Sequence, residues 1–162
     1  MQKVTTSLDI VNKHQSEIRQ AILNAVRSTR SCVLYYRDIY YELERTFTDE
    51  NLLWEVDNAL WEVIDGLKLG GFTIHKIYSD PDESHHDVVV VDFGDKLTEE
   101  QLHILREVAT LFNTDFYDRY SEADGEFYDA MPLYFYDRTE VYTTLHNLVK
   151  MWTGCGETDT DD

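Results

Sequence analysis

Apolar residues at Leu8, Val11, Ile18, Ile22, Ala25 and Val26 fall at steps close to three and four. With Gln15 filling the stripe and Ser7 as N-cap, they predict one amphipathic helix from Ser7 to about Ser28. Cys32-Val33-Leu34-Tyr35-Tyr36 is a short β-prone run, and Ile39, Tyr40, Leu43 and Phe47 mark a second helix. Thr48-Asp49-Glu50-Asn51 then offers an N-cap and first-turn acids, whose charge suits the positive end of a helix dipole. The third helix carries Leu52, Leu53, Val56, Leu60, Val63, Ile64 and Leu67 and is expected to stop near Gly66 or Gly70-Gly71. Residues 72–77 and 88–93 have strand character around the turn chemistry of Asp80-Pro81-Asp82-Glu83-Ser84, which predicts a hairpin. Thr98-Glu99-Glu100-Gln101 reads as a capping box opening a helix through Leu102, Leu105, Val108, Ala109 and Phe112. A last helix runs from Thr139 to about Met151, and the acidic tail from Gly154 is expected to fray.

These elements give an α+β, mostly helical fold. The order helix, short strand, helix, helix, hairpin, with the spacing Leu60, Val63-Ile64, Leu67, Gly71-Phe72, resembles a winged helix-turn-helix domain over about residues 16–93. The resemblance implies a winged-helix-like N-terminal half with a β-hairpin, residues 1–95. A helical, aromatic- and acid-rich second half, 96–153, is expected to pack on it, followed by a disordered acidic tail, 154–162.

Charge changes what such a fold could do. The 162 residues hold 32 Asp and Glu against 14 Lys and Arg, a net charge of −18. Nucleic-acid affinity comes largely from Lys and Arg displacing counterions, so direct binding to DNA or RNA is not expected. Hydrophobic residues at 43% and aromatics at 13% exclude a chain that is acidic and disordered throughout and favour a buried core. No apolar run approaches a membrane span, the N-terminus lacks a secretory pattern, and Cys32 and Cys155 match no metal or redox spacing. Free thiols, a cytoplasmic location and no membrane partner are the expectations.

The charge is also concentrated. Between Thr46 and Leu67 stand Asp49, Glu50, Glu55, Asp57, Glu62 and Asp65 and no Lys or Arg. A DNA-binding winged helix presents this element to the major groove; here it would face phosphate with carboxylates. From Tyr78 to Glu140, 17 acids meet Lys96, Arg106, Arg119 and Arg138, a net −13. Carboxylates three or four residues apart on a helix lie about 5–6 Å apart, of the same order as the roughly 3.4 Å between phosphates along one DNA strand.

Aromatics interleave these acids in Phe116-Tyr117-Asp118, Phe127-Tyr128-Asp129 and Phe135-Tyr136-Asp137, at intervals too uneven for a structural repeat. Beside carboxylates, such rings could receive arginine by ion pairing and cation–π contact. The candidate partner-binding residues are therefore Asp115, Tyr117, Asp118, Glu122, Asp124, Glu126, Tyr128 and Asp129, together with Glu55, Asp57 and Glu62.

Catalytic signals are weak. Asp80, Asp82, Glu83, His85, His86 and Asp87 could gather round a divalent ion, but adjacent histidines diverge on a strand and a hairpin tip explains the cluster. Aligning Gly125 with the sixth position of a calcium loop puts Tyr120 first and Met131 twelfth, without the required oxygen ligands. No phosphate loop, nucleophile elbow or zinc-protease motif is present. The leading reading is a non-enzymatic inhibitor without cofactor or metal, which mimics nucleic-acid phosphates and occupies the groove of a basic nucleic-acid-binding protein, a nuclease or a CRISPR or restriction complex. In size, charge and aromatic-acid texture the chain is similar to the anti-restriction and anti-CRISPR proteins of phages and mobile elements, which implies the host cytoplasm as its location. A winged-helix regulatory or scaffold domain that binds a protein without mimicry is the second reading, and a carboxylate-metal hydrolase the third. A homodimer is left open.

Overall fold

The computed structural model describes residues 6–79, 87–122 and 141–155, with 111–122 as helical backbone. The chain forms two compact units, Met1–Lys96 and Leu97–Asp162. It is α+β and mainly helical, with one four-stranded antiparallel sheet.

In the first unit, α1 (Ser7–Lys13), α2 (Gln15–Thr29), β1 (Val33–Tyr35), α3 (Tyr36–Thr46) and α4 (Glu50–Val63) precede β2 (Leu67–Lys68), β3 (Phe72–Tyr78) and β4 (Val88–Phe93). The strand order is β1-β4-β3-β2. Val90 pairs with Val33 on one side and His75 on the other, while Ile74 lies opposite both Leu67 and Val91. Ile18, Ile22, Leu34, Ile39, Leu43, Val56, Leu60, Ile64, Ile74 and Val89 are fully buried in one cluster formed by helices and sheet. Of the stripe positions predicted for the second and third helices, Ile39, Leu43, Phe47, Leu53, Val56, Leu60 and Ile64 are buried.

The single helix expected from Ser7 to Ser28 is instead two. The chain breaks at His14 (φ −113, ψ 25), whose ring meets Phe47 edge-on at 5.4 Å between centroids. The apolar stripe hides this break, because Val11 before it and Ile18 after it both reach the core. The N-cap is Thr6 rather than Ser7: its Oγ1 accepts from the Asp9 N–H at 3.2 Å, and its own N–H donates to Asp9 Oδ2 at 3.1 Å.

The third helix stops at Val63 with Ile64 as its C-cap, close to the nearer of the two expected ends, Gly66, and well short of Gly70-Gly71. Past Ile64 the Lys76 N–H donates to Asp65 Oδ1 at 2.8 Å and the Gly66 N–H to the Ile74 carbonyl at 2.8 Å. Leu67 is thereby drawn out of the helical stripe into strand β2. Gly66, at φ +81, makes the change of direction. The Arg19 Nε–H donates to the carbonyls of Leu69 (3.1 Å) and Gly70 (2.9 Å), tying α2 to the turn between β2 and β3.

At the start of α4, Asp49 Oδ1 accepts from the N–H groups of Asn51 (2.9 Å) and Leu52 (3.2 Å), as the sequence predicts. Removing a side-chain cap of this kind costs about 1 kcal/mol. Asp49→Ala is expected to lower unfolding free energy by about that amount in urea titrations, and Asp49→Asn to keep most of it.

In the second unit α5 (Glu99–Glu122) opens with the predicted capping box. The Gln101 N–H donates to Thr98 Oγ1 at 3.1 Å, and the Thr98 N–H to Gln101 Oε1 at 2.9 Å. Residues 141–153 are helical, with Val141, Leu145 and Val149 buried. The expectation of free thiols is corrected: Cys32 and Cys155 are both disulfide-bonded, and neither is free. Their separation along the chain matches no framework that spacing could reveal. The hairpin tip at 80–86 and the tail from 156 lie outside the described residues. No helix among the described residues is long and apolar enough to cross a membrane.

Candidate interaction face on helix α4

Helix α4 turns Leu53, Val56, Ala59 and Leu60 into the core. Its outward side exposes Asn51, Trp54, Glu55, Asn58 and Glu62. Glu55 and Glu62, seven residues apart, occupy one stripe two turns apart, about 10.5 Å along the axis. Glu62 is held by the neighbouring helix: the Ser7 hydroxyl donates to its Oε2 at 2.8 Å. Glu50, at the first turn, is exposed as well. No Lys or Arg occurs on the helix.

Asp57 stands apart from this stripe. It lies on the flank towards α3, where the buried Tyr36 hydroxyl donates to its Oδ1 at 2.6 Å and to its backbone carbonyl at 3.3 Å. Partial burial raises the Asp57 carboxyl above the ordinary carboxylate range, against the lowering effect of the Tyr36 hydrogen bond. Burial first, and then the Asp57 charge, push the Tyr36 hydroxyl well above its ordinary value. Of the three α4 residues proposed from sequence, Glu55 and Glu62 share an open face, whereas Asp57 serves an internal hydrogen bond.

Two tryptophans complete the outward side. Trp61 is half-buried, its ring tilted on Tyr36 at 4.7 Å between centroids, and the Lys76 ammonium lies 4.1 Å from the ring centroid. Trp54, two turns earlier, is 72% exposed. Sequence reasoning missed it by following only the apolar stripe. The available signal was a large aromatic at a position out of phase with Leu53, Val56 and Leu60, beside Glu55 and Asn58.

The other proposed residues belong to the second unit. Asp115, Tyr117, Asp118 and Glu122 lie along the α5 backbone, which continues well past Phe112 and takes in the first Phe-Tyr-Asp triplet. Asp124, Glu126, Tyr128 and Asp129 lie outside the described residues. So do Asp80, Asp82, Glu83, His85 and His86 of the hairpin tip, while Asp87 is buried and its carbonyl accepts the Tyr36 N–H at 2.9 Å. Among the described residues no group of three or more His, Cys, Asp or Glu is placed to hold a metal ion. The scattered histidines have local contacts, such as His103 Nε2 with Glu107 Oε1 at 3.0 Å and the His146 ring stacked 6.4 Å from Tyr142.

No protein family, no curated protein and no solved structure matches this chain.

Proposed function

We propose that this chain is a non-enzymatic interaction protein whose acidic α4 face occupies the groove of a basic nucleic-acid-binding protein in place of nucleic acid. The observation that carries the reading is the outward side of α4, where Glu50, Glu55 and Glu62 are exposed and the helix itself supplies no Lys or Arg, the Lys76 ammonium of β3 lying over Trp61 near the helix end. The first unit supports a winged-helix-like arrangement: α2, β1, α3, α4 and the β3–β4 hairpin follow in that order, and β1 pairs with β4 beside β3. In such an arrangement α4 takes the place of the helix that a DNA-binding relative sets into the major groove. Carboxylates there repel phosphate and attract the Lys and Arg that line a nucleic-acid groove. An inhibitor of a host nuclease or of a CRISPR or restriction complex fits this chemistry.

One observation favours the second reading, a regulatory or scaffold domain that binds a protein without mimicry. Glu50, Glu55 and Glu62 are separated by five and seven residues, about 7.5 and 10.5 Å along the axis, against roughly 3.4 Å between phosphates of one strand. Taken alone, α4 is sparser than the nucleic acid it would replace.

The test is affinity capture from host lysate at low and high salt, followed by challenge with duplex DNA. The expected result is retention of Lys- and Arg-rich nucleic-acid-binding proteins that duplex DNA displaces and high salt releases. The double substitution Glu55→Lys with Glu62→Lys is expected to weaken that retention at least about tenfold, since like charges across an interface cost several kcal/mol. Retention lost in the double variant yet indifferent to DNA would select the scaffold reading. Retention indifferent to salt, DNA and both substitutions would sink the proposal.

A further inference from the structure

Trp61 and Trp54 repeat one setting along α4. Each ring has a carboxylate residue one turn before it, Asp57 before Trp61 and Glu50 before Trp54, and the two rings are seven residues apart on the same side of the helix. At Trp61 the setting is filled from within: β3 passes the end of the helix, its Lys76 N–H is fixed on Asp65, and the Lys76 ammonium sits 4.1 Å from the ring centroid. At Trp54 the ring is 72% exposed and meets no cation and no other aromatic among the described residues.

We infer that Trp54 is the seat of an arginine from a basic protein partner, stacked on the indole face as the Lys76 ammonium is on Trp61, with Glu50 and Asn58 alongside to pair with the guanidinium. This deepens the proposed function and rests on it. Charge complementarity chooses the occupant: the helix around Trp54 carries carboxylates and no Lys or Arg, and the Lys76 ammonium is placed on Trp61, two turns further on, so a phosphate-bearing ligand is repelled and a cation is drawn in. Geometry then chooses arginine over lysine. A planar, weakly hydrated guanidinium stacks on an indole and still donates in its own plane to flanking oxygens, whereas an ammonium cannot do both. An exposed tryptophan bordered by polar groups is also the residue type that most often dominates an interface.

The experiment follows the three tryptophan indole N–H resonances of the intact, isotopically labelled protein while hexa-arginine or hexa-lysine peptide is added. The expected result is a saturable shift of the Trp54 signal that is larger and tighter with hexa-arginine. Trp54→Ala should weaken hexa-arginine binding about 2- to 30-fold, the range that a cation–π contact spans from exposed to desolvated sites. Trp54→Tyr should recover part of that loss. The substitutions fall on an exposed position, so an unchanged urea midpoint is expected to accompany them. Equal affinity of Trp54→Ala and the native protein for hexa-arginine would overturn the arginine seat and leave the acidic-face reading standing. Equal response to the two peptides, or a Trp54 shift produced by a single-stranded oligonucleotide instead, would overturn it too. Binding of neither peptide would remove both the seat and the reading beneath it.

Discussion

Leu60→Ala is expected to destabilise the first unit by about 3–4 kcal/mol, the largest single effect among the substitutions considered. Leu60 is fully buried in the cluster that joins α4 to α2, α3 and the sheet. Its truncation removes apolar contact and leaves a cavity that helices anchored on several sides close only in part, and buried Leu→Ala changes in such settings cost about 2–5 kcal/mol. Urea titration followed by far-ultraviolet circular dichroism should show a lower midpoint with an unchanged slope. Where the variant remains folded, its retention of a basic partner should match the native protein, because Leu60 contributes nothing to the outward face. A loss below about 1 kcal/mol would contradict the packing described for α4.

Tyr36→Phe comes next, and its cost should depend on pH. The Tyr36 hydroxyl donates to Asp57 Oδ1 at 2.6 Å, and burial raises the Asp57 carboxyl while that hydrogen bond opposes the rise. A group with a raised folded-state pKa gives its full stabilisation below the unfolded value and loses it as pH climbs through the folded value. At neutral pH the ionised Asp57 is therefore a burden that Tyr36 relieves. Loss of a hydrogen bond to a charged group costs about 1.5–3 kcal/mol, and of one between neutral groups about 1 kcal/mol. The Tyr36→Phe penalty should accordingly be about 2 kcal/mol near pH 7 and about half of that near pH 3, where Asp57 is protonated in both states. Asp57→Asn keeps an acceptor for the hydroxyl and removes the charge, so it should be neutral or stabilising near pH 7, and in its background the Tyr36→Phe penalty should no longer vary with pH. A penalty that grows as pH falls would reverse the assignment of Asp57.

How far these features could be read from sequence depends on which physical signal each one leaves. Asp49 and the Thr98–Gln101 pair are legible because capping needs particular side chains at fixed offsets, and the structure places those hydrogen bonds where the offsets say. The hairpin strands are legible through Val88-Val89-Val90-Val91, a run of branched residues suited to a strand covered on both faces. The break at His14 leaves no such mark, since a stripe continuing through Val11 and Ile18 looks the same whether the helix is continuous or bent. Strand β2 is equally silent: Leu67 fits a helical phase, and only the long-range bonds of Asp65 and Gly66 to β3 take it elsewhere.

The candidate site divides in the same way. Net charge identifies α4 as an acidic helix, but Glu55 and Asp57 are chemically alike in a sequence. What separates them is a hydroxyl 21 residues earlier in the chain. Trp54 is concealed by the usual preference of aromatics for the interior, and the disulfide-bonded cysteines by their distance along the chain.

The strand order also sets a schedule for synthesis. β4 is flanked by β1 and β3 yet is the last strand of the sheet to leave the ribosome, and its partner β1 begins at Val33, far upstream. Until Val88–Phe93 has emerged, β1 has no neighbour, and a nascent chain offers α2, α3 and α4 no completed sheet to settle on. Loop closure over that interval must precede the contacts that reward it, so the first unit should gain protection from protease only when translation has carried Phe93 clear of the exit tunnel. A library of stalled chains lengthened one codon at a time would show this as a single abrupt step rather than a gradual rise, and any shortened version of the protein made for study must retain the chain through β4.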